Sequence, residues 1–96
     1  MSRVSKTDVV ADIAETLGRE CPHMSTGSTE PRQIFEIVNE ELGLGLPDTL
    51  TKPQLARAIV EASGEVWGSN FESRGGTVTL AGLQAVRRSV KFFLGR

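Results

Sequence analysis

The sequence predicts an all-α domain, a compact four-helix arrangement with a long loop or small β-hairpin between the third and fourth helices. Three observations predict it. Apolar residues recur at three- and four-residue spacing in four separate stretches. Each stretch opens on a serine or threonine and closes on a glycine. The β-prone segments Val66-Trp67 and Thr77-Val78-Thr79 both fall between the third and fourth stretches, where they can pair or simply pack extended.

The first helix is expected over Lys6–Leu17. Ser5 can cap it, with Asp8 as the capping-box acid. Val9, Val10, Ile13, Ala14 and Leu17 make one apolar stripe, and Gly18 stops the helix in the left-handed C-terminal conformation. A loop follows over Arg19–Gly27. Thr29-Glu30-Pro31 then opens the second helix: threonine caps, the acid faces the helix dipole, and proline in the first turn loses no needed hydrogen bond. Its apolar face is Ile34, Phe35, Ile37, Val38 and Leu42, and Gly43 ends it. The leucines of Leu44-Gly-Leu-Pro-Asp are expected to tuck into the core.

Thr51-Lys52-Pro53 opens the third helix in the same manner, with Leu55, Ala56, Ile59, Val60 and Ala62 facing inward and Gly64 closing it. Thr29, Pro31, Ile37 and Val38 match Thr51, Pro53, Ile59 and Val60 at a constant offset. Thr-x-Pro is a common helix start, so the match is read as convergence rather than duplication. Thr79 caps the fourth helix. Leu80, Leu83, Val86, Val90, Phe93 and Leu94 form its apolar stripe, Gln84, Arg87, Arg88 and Lys91 its opposite basic ridge, and Gly95 its end.

Size and composition bound the function. The 96 residues, 39% hydrophobic and 24% charged, suit one domain over 1–96 with a modest core, with residues 1–5 expected to be flexible. No apolar run approaches the roughly 20 residues of a membrane span, so no membrane partner is expected. The start has no apolar signal-peptide region, and the lone Cys21 rules out an internal disulfide; a cytoplasmic setting is expected. The chain fits equally a complete small protein and the front domain of a longer one.

Catalysis finds little footing. Cys21 and His23 supply two possible zinc ligands where a closed site needs four. As a nucleophilic pair they lack a third group to hold the base against the thiol. Asp8, Asp12, Glu15, Glu36, Glu40 and Glu41 fall on outer helix faces. There is no Walker motif, Rossmann fingerprint or Gly-x-Ser-x-Gly elbow. The expectation is a non-enzyme without cofactor or metal.

Charge is distributed unevenly. Residues 1–50 carry four cations against nine carboxylates, and residues 51–96 carry seven against three, a split that the net charge of −1 conceals. Gly75 and Gly76 allow close backbone approach to a ligand. Ser73, Thr77 and Thr79 can hydrogen-bond phosphate, and Arg74 can grip a phosphate or a guanine edge in bidentate fashion. Thr79 begins a helix whose amides attract anions. Lys52, Arg87, Arg88 and Lys91 can follow a phosphate backbone. These residues are the candidate site for double-stranded DNA. A net charge of −1 requires a localised patch or a tethered second module. The alternative is a protein-interaction or self-assembly module whose acidic first and second helices meet a basic partner protein or a second copy.

Thr51-Lys-Pro-Gln-Leu-Ala-Arg-Ala-Ile-Val, a loop, and a Gly-Thr-led second helix resemble the helix–extended-loop–helix DNA-binding modules of the SAP type, with a longer loop here. Gly27-Ser-Thr-Glu-Pro, Thr51-Lys-Pro-Gln-Leu-Ala and Glu72-Ser-Arg-Gly-Gly-Thr-Val-Thr-Leu-Ala-Gly-Leu are similar to short helical segments of bacterial restriction endonucleases. The resemblance covers most of the chain. It implies DNA association as a recognition or accessory domain of a restriction-type nuclease. It does not imply cleavage, since the sequence holds no Pro-Asp…Glu-x-Lys or His-Asn-His signature.

Overall fold

In a computed structural model, which describes residues 4–23 and 30–95, the chain forms four helices. They are α1 (Lys6–Thr16), α2 (Arg32–Leu42), α3 (Lys52–Ala62) and α4 (Leu80–Phe93). Helix α4 packs chiefly between α1 and α3, which do not touch one another, and also meets α2. Between α3 and α4 lies no named strand among the described residues, only a single antiparallel bridge, Glu72 to Val78. Of the two alternatives for Val66-Trp67 and Thr77-Val78-Thr79, pairing with each other does not occur among the described residues. Val66 is 82% exposed, and Trp67 instead stacks edge-on against Phe71 at 5.2 Å.

Local signals explain most helix ends. Ser5 and Asp8 form the expected capping box, so Ser5 is fixed although residues 1–5 were expected to be flexible; residues 1–3 lie outside the described ones. Thr51 and Gln54 form a second capping box, with Pro53 in the first turn of α3. Gly43 ends α2 in the left-handed conformation (φ 62°), where a side chain would strain the backbone. Asn39 then clamps the following connector by exchanging two hydrogen bonds with the backbone of Leu46, which lets Leu44 and Leu46 pack on the core.

The start of α2 differs from expectation. Its N-cap is Pro31, without any side-chain cap, and Thr29 lies outside the described residues. Glu30 does not face the helix dipole. It is buried, with its side chain 0% exposed, and reaches across the molecule. Its carboxylate accepts hydrogen bonds from Lys6 Nζ (3.2 Å) and from the Val78 backbone N–H, and Lys52 Nζ stands 3.8 Å away. Lys52 Nζ also donates to the Glu30 carbonyl oxygen (3.1 Å). A carboxylate without partners at such depth would be expelled or protonated; two ammoniums and one amide make the burial tenable. The start of α2 is therefore organised by tertiary pairing rather than by a local cap.

The core joins Val9, Val10, Ile13, Ala14, Ile34, Phe35, Val38, Leu55, Ala56, Ile59, Val60, Val78, Leu83, Ala85, Val86 and Val90. Two expectations about facing fail. Ala62 is exposed, because α3 ends there and Ser63 turns back to bond the Val60 carbonyl. Phe93 and Leu94 are 38% and 39% exposed, because α4 extends past the helices that cover its first three turns. In their place Gly82, Ala85 and Ser89 are buried. These small residues let α4 approach its neighbours, and Ser89 satisfies its hydroxyl on Ser63 Oγ and the Ala85 carbonyl.

Gly82 marks the tightest approach. A methyl built there would overlap the Phe71 carbonyl oxygen and lie 2.6 Å from Val78 Cγ1. In an open helix alanine is the better residue by about 1 kcal/mol. Here overpacking of ~1–3 kcal/mol outweighs that gain. Gly82→Ala is expected to lower the urea midpoint, with a net loss of about 1 kcal/mol or more and an unchanged denaturant slope. A raised midpoint would show that the loop is not pressed on α4.

Candidate nucleic-acid interface

The loop from Phe71 to Thr79 is built from its backbone outward. Thr79 N–H donates to the Phe71 carbonyl (3.0 Å) and Ser73 N–H to the Thr77 carbonyl (2.9 Å). These two bonds flank the Glu72–Val78 bridge. Gly76 N–H closes a turn on the Ser73 carbonyl (3.3 Å), and Gly76 itself is left-handed (φ 77°). A type I turn followed by a left-handed glycine is a frequent three-residue closure of paired segments. Arg74 and Gly75 are thereby held at an exposed tip.

The base of the loop is fixed just as firmly. Thr79 Oγ1 donates to the Asn70 carbonyl (2.7 Å) and accepts from Gly82 N–H (3.2 Å) as the cap of α4. Trp67 Nε1 donates to Glu72 Oε1 (3.0 Å), and Trp67 and Phe71 both pack on the core. Val78 is fully buried, and its N–H points away from the bridge to Glu30.

This construction decides which candidate residues are available to a ligand. Arg74, Gly75 and Gly76 are exposed, and Arg74 makes no ion pair among the described residues. Ser73 and Thr77 are turned to one another, hydroxyl to hydroxyl. Thr79 has its hydroxyl engaged on both sides, so the α4 N-terminus is already capped. Lys52 belongs to the Glu30 cluster. The basic ridge of α4 is partly paired, its three cations meeting two carboxylates. Arg87 Nη1 and Lys91 Nζ both lie 3.3 Å from Asp12 Oδ2 on α1. Arg88 grips Glu65 in bidentate fashion, Nε to Oε1 and Nη2 to Oε2.

Two residues that the sequence reading did not single out adjoin the tip. Gln54 and Arg57, one turn apart on α3, line an open cleft of about 330 Å³ together with Thr51, Pro53, Glu72 and Gly76. Arg57 is exposed and pairs with Glu61 one turn on (3.2 Å), an arrangement of little strength at a surface. In the sequence Arg57 is only one of the seven cations of residues 51–96. The sequence did not show that the loop folds back beside it.

Cys21 and His23 lie elsewhere, both exposed, on an open cleft of about 450 Å³ with Glu36 and Glu40 of α2. Cys21 Sγ bonds the Pro22 carbonyl (3.5 Å). Among the described residues no three of His, Cys, Asp and Glu gather into a metal-holding group, and no helix is long and apolar enough to cross a membrane.

The hydrogen bonds from Arg88 hold the Glu65 carboxyl below its usual range, against the opposing effect of partial burial and with a smaller contribution from simple charge attraction. A lowered folded-state value means that the pair stabilises the fold above the ordinary carboxylate range. That contribution is lost as pH falls through the lowered value. The two side chains are 32% and 55% exposed, so the effect is modest. Glu65→Gln is expected to cost under about 1 kcal/mol near pH 7, and the difference from wild type should narrow below about pH 4 in urea titrations. A gap that widens on acidification would contradict the pairing. The tip glycines should also differ. Gly76→Ala, in the left-handed region, should cost about 1–2 kcal/mol. Gly75→Ala should cost under about 0.5 kcal/mol, since a methyl there meets nothing closer than Ser73 Oγ at 3.9 Å. Equal effects at the two positions would refute the turn.

Comparisons with protein-family models, curated proteins and solved structures find no match to this chain.

Proposed function

We propose that the chain is a non-catalytic DNA-binding module that touches duplex DNA through the tip of the 71–79 loop and the adjoining face of α3. The observation that carries this reading is Arg74: an exposed guanidinium with no carboxylate partner among the described residues, on a loop fastened at both ends. A rigid tip loses little entropy on binding. The guanidinium can take a phosphate, or the O6 and N7 of guanine, in bidentate fashion. Gly75 and Gly76 let the backbone come close to the duplex, and Arg57 can exchange Glu61 for a phosphate at small cost.

The contact area is narrower than the sequence reading proposed. Lys52 is drawn into the buried Glu30 cluster, and Arg87, Arg88 and Lys91 each have a carboxylate partner within the fold, so they are less available to a phosphate backbone than Arg74. Two arginines give weak binding alone, which suits an accessory or recognition module acting beside a tethered domain. The resemblance to segments of restriction endonucleases supports that setting, and the single free thiol is in keeping with a cytoplasmic one. A second reading is a protein-interaction or self-assembly module using the acidic helices α1 and α2. It is favoured by half-buried Glu36 and exposed Glu40 beside the 450 Å³ cleft and by Phe92, 64% exposed at the end of α4.

Salt-dependent titration of labelled duplex DNA separates the proposals. Contacts from Arg74 and Arg57 predict a slope of log affinity against log salt near −2, at ~0.9 per neutralised phosphate. Five backbone-tracking cations would give about −4.5. Arg74→Ala should reduce affinity by about tenfold, the factor for one charge-assisted contact of ~1.4 kcal/mol. No binding at low salt, together with concentration-dependent association in sedimentation, would overturn the DNA reading in favour of the second.

A further inference from the structure

We propose that Glu30 is the positioning residue of the Arg74 loop, setting from the start of α2 the angle at which the tip stands against the bundle. The part of this inference that concerns DNA rests on the reading above; the part that concerns loop position does not.

In the paired segment 71–79, the N–H of Thr79 and the carbonyl of Thr77 face Phe71 and Ser73. Alternation along an extended chain then turns the N–H of Val78 to the opposite side. There it meets Glu30 Oε1 at 2.5 Å, across a sequence separation of 48 residues. That bond is the one by which the backbone of the loop is held to the start of α2. The carboxylate cannot swing away, because Lys6 and Lys52 draw it from the starts of α1 and α3. Three helix beginnings therefore converge on one amide of the loop. The other bonds of the loop tie it to itself and to the start of α4: Thr79 Oγ1 to the Asn70 carbonyl, Gly82 N–H to Thr79 Oγ1, and the Phe71 carbonyl in contact with Gly82. Those bonds fix the shape of the loop and its junction with α4, whereas the charged hydrogen bond from Glu30 ties it to the start of α2 and so sets its tilt against the rest of the bundle.

A built-in reporter is available. Trp67 is the chain's one tryptophan, and it is joined to the loop through Phe71 and Glu72. The test compares wild type, Glu30→Ala and Glu30→Gln by amide NMR, hydrogen exchange and DNA titration at one salt concentration. Glu30→Ala is expected to keep the helical circular dichroism and to speed exchange at Val78 N–H by at least about tenfold over core amides of α3. It should also shift the amides of Arg74, Gly75 and Gly76 and the Trp67 indole, and lower DNA affinity to the level of Arg74→Ala. Glu30→Gln keeps a carbonyl acceptor for Val78 and should restore the exchange protection and the tip signals. Should Glu30→Ala fail to fold, Lys6→Met with Lys52→Met supplies the test: the carboxylate, freed of both ammoniums, should let the same tip signals move. Tip and indole signals that stay in place while Val78 loses protection would overturn the proposal. Wild type that does not bind DNA, with tip signals that still move in the variant, would overturn the DNA reading and leave the positioning role standing.

Discussion

One buried carboxylate organises this fold. Glu30 draws together the first residue of α1, the first residue of α3 and the strap that leads into α4. Taking a carboxylate and parts of two lysines out of water is costly, and the attraction among them roughly offsets that cost. The cluster is therefore better understood as a fixing of arrangement than as a large net gain in stability. Apolar contacts hold the helices together without specifying their tilt. A charge that must find its partners or remain unsatisfied specifies it. The lysines keep 22% exposure, which lets their stems pack while their ammoniums turn inward.

The same economy governs the surface. Asp12 takes both Arg87 and Lys91, Glu65 takes Arg88, and Glu36 and Glu61 take Arg32 and Arg57 within their own helices. The uneven charge of the two halves of the chain is thus largely resolved by folding, because α1 from the acidic half lies along α4 from the basic half. What remains among the described residues is Arg74 at a built tip, Arg57 beside it with a loosely held partner, and one cation in excess where Arg87 and Lys91 share Asp12. A basic stripe in a sequence is evidence for a polyanion only after its internal acids have been placed.

The helices were legible in the sequence to within a residue or two, because their signals are local. Ser5 with Asp8, Thr51 with Gln54, and Gly43 each act within four positions, and the apolar spacing of Val9 to Ala14 and of Leu55 to Val60 carries its own period. The all-α class followed. Glu30 was not legible. Beside Thr29 and Pro31 it has the form of a first-turn acid, and its true partners are 22 to 48 positions away. Phe93 and Leu94 satisfied the helical period yet stay exposed, since period identifies a face and not whether another element covers it. For the candidate site, Arg74 and its glycines were legible as an exposed turn. The consumption of Thr79 as a cap was half-legible, and the loss of Lys52, Arg87, Arg88 and Lys91 to internal pairs was not, since the chain does not state which helices lie side by side.

The central claim is that Glu30 and Lys52 are coupled through the interior, while pairs such as Arg57 and Glu61 merely share a surface. A double-mutant cycle measures this directly, using Glu30→Gln, Lys52→Met and their combination in urea unfolding, with an Arg57–Glu61 cycle alongside. The account predicts a coupling of about 1–3 kcal/mol for the buried pair, in the range for residues sharing one network, against about 0.3–0.5 kcal/mol for the surface pair. A Glu30–Lys52 coupling indistinguishable from zero, or no larger than that of the surface pair, would contradict it.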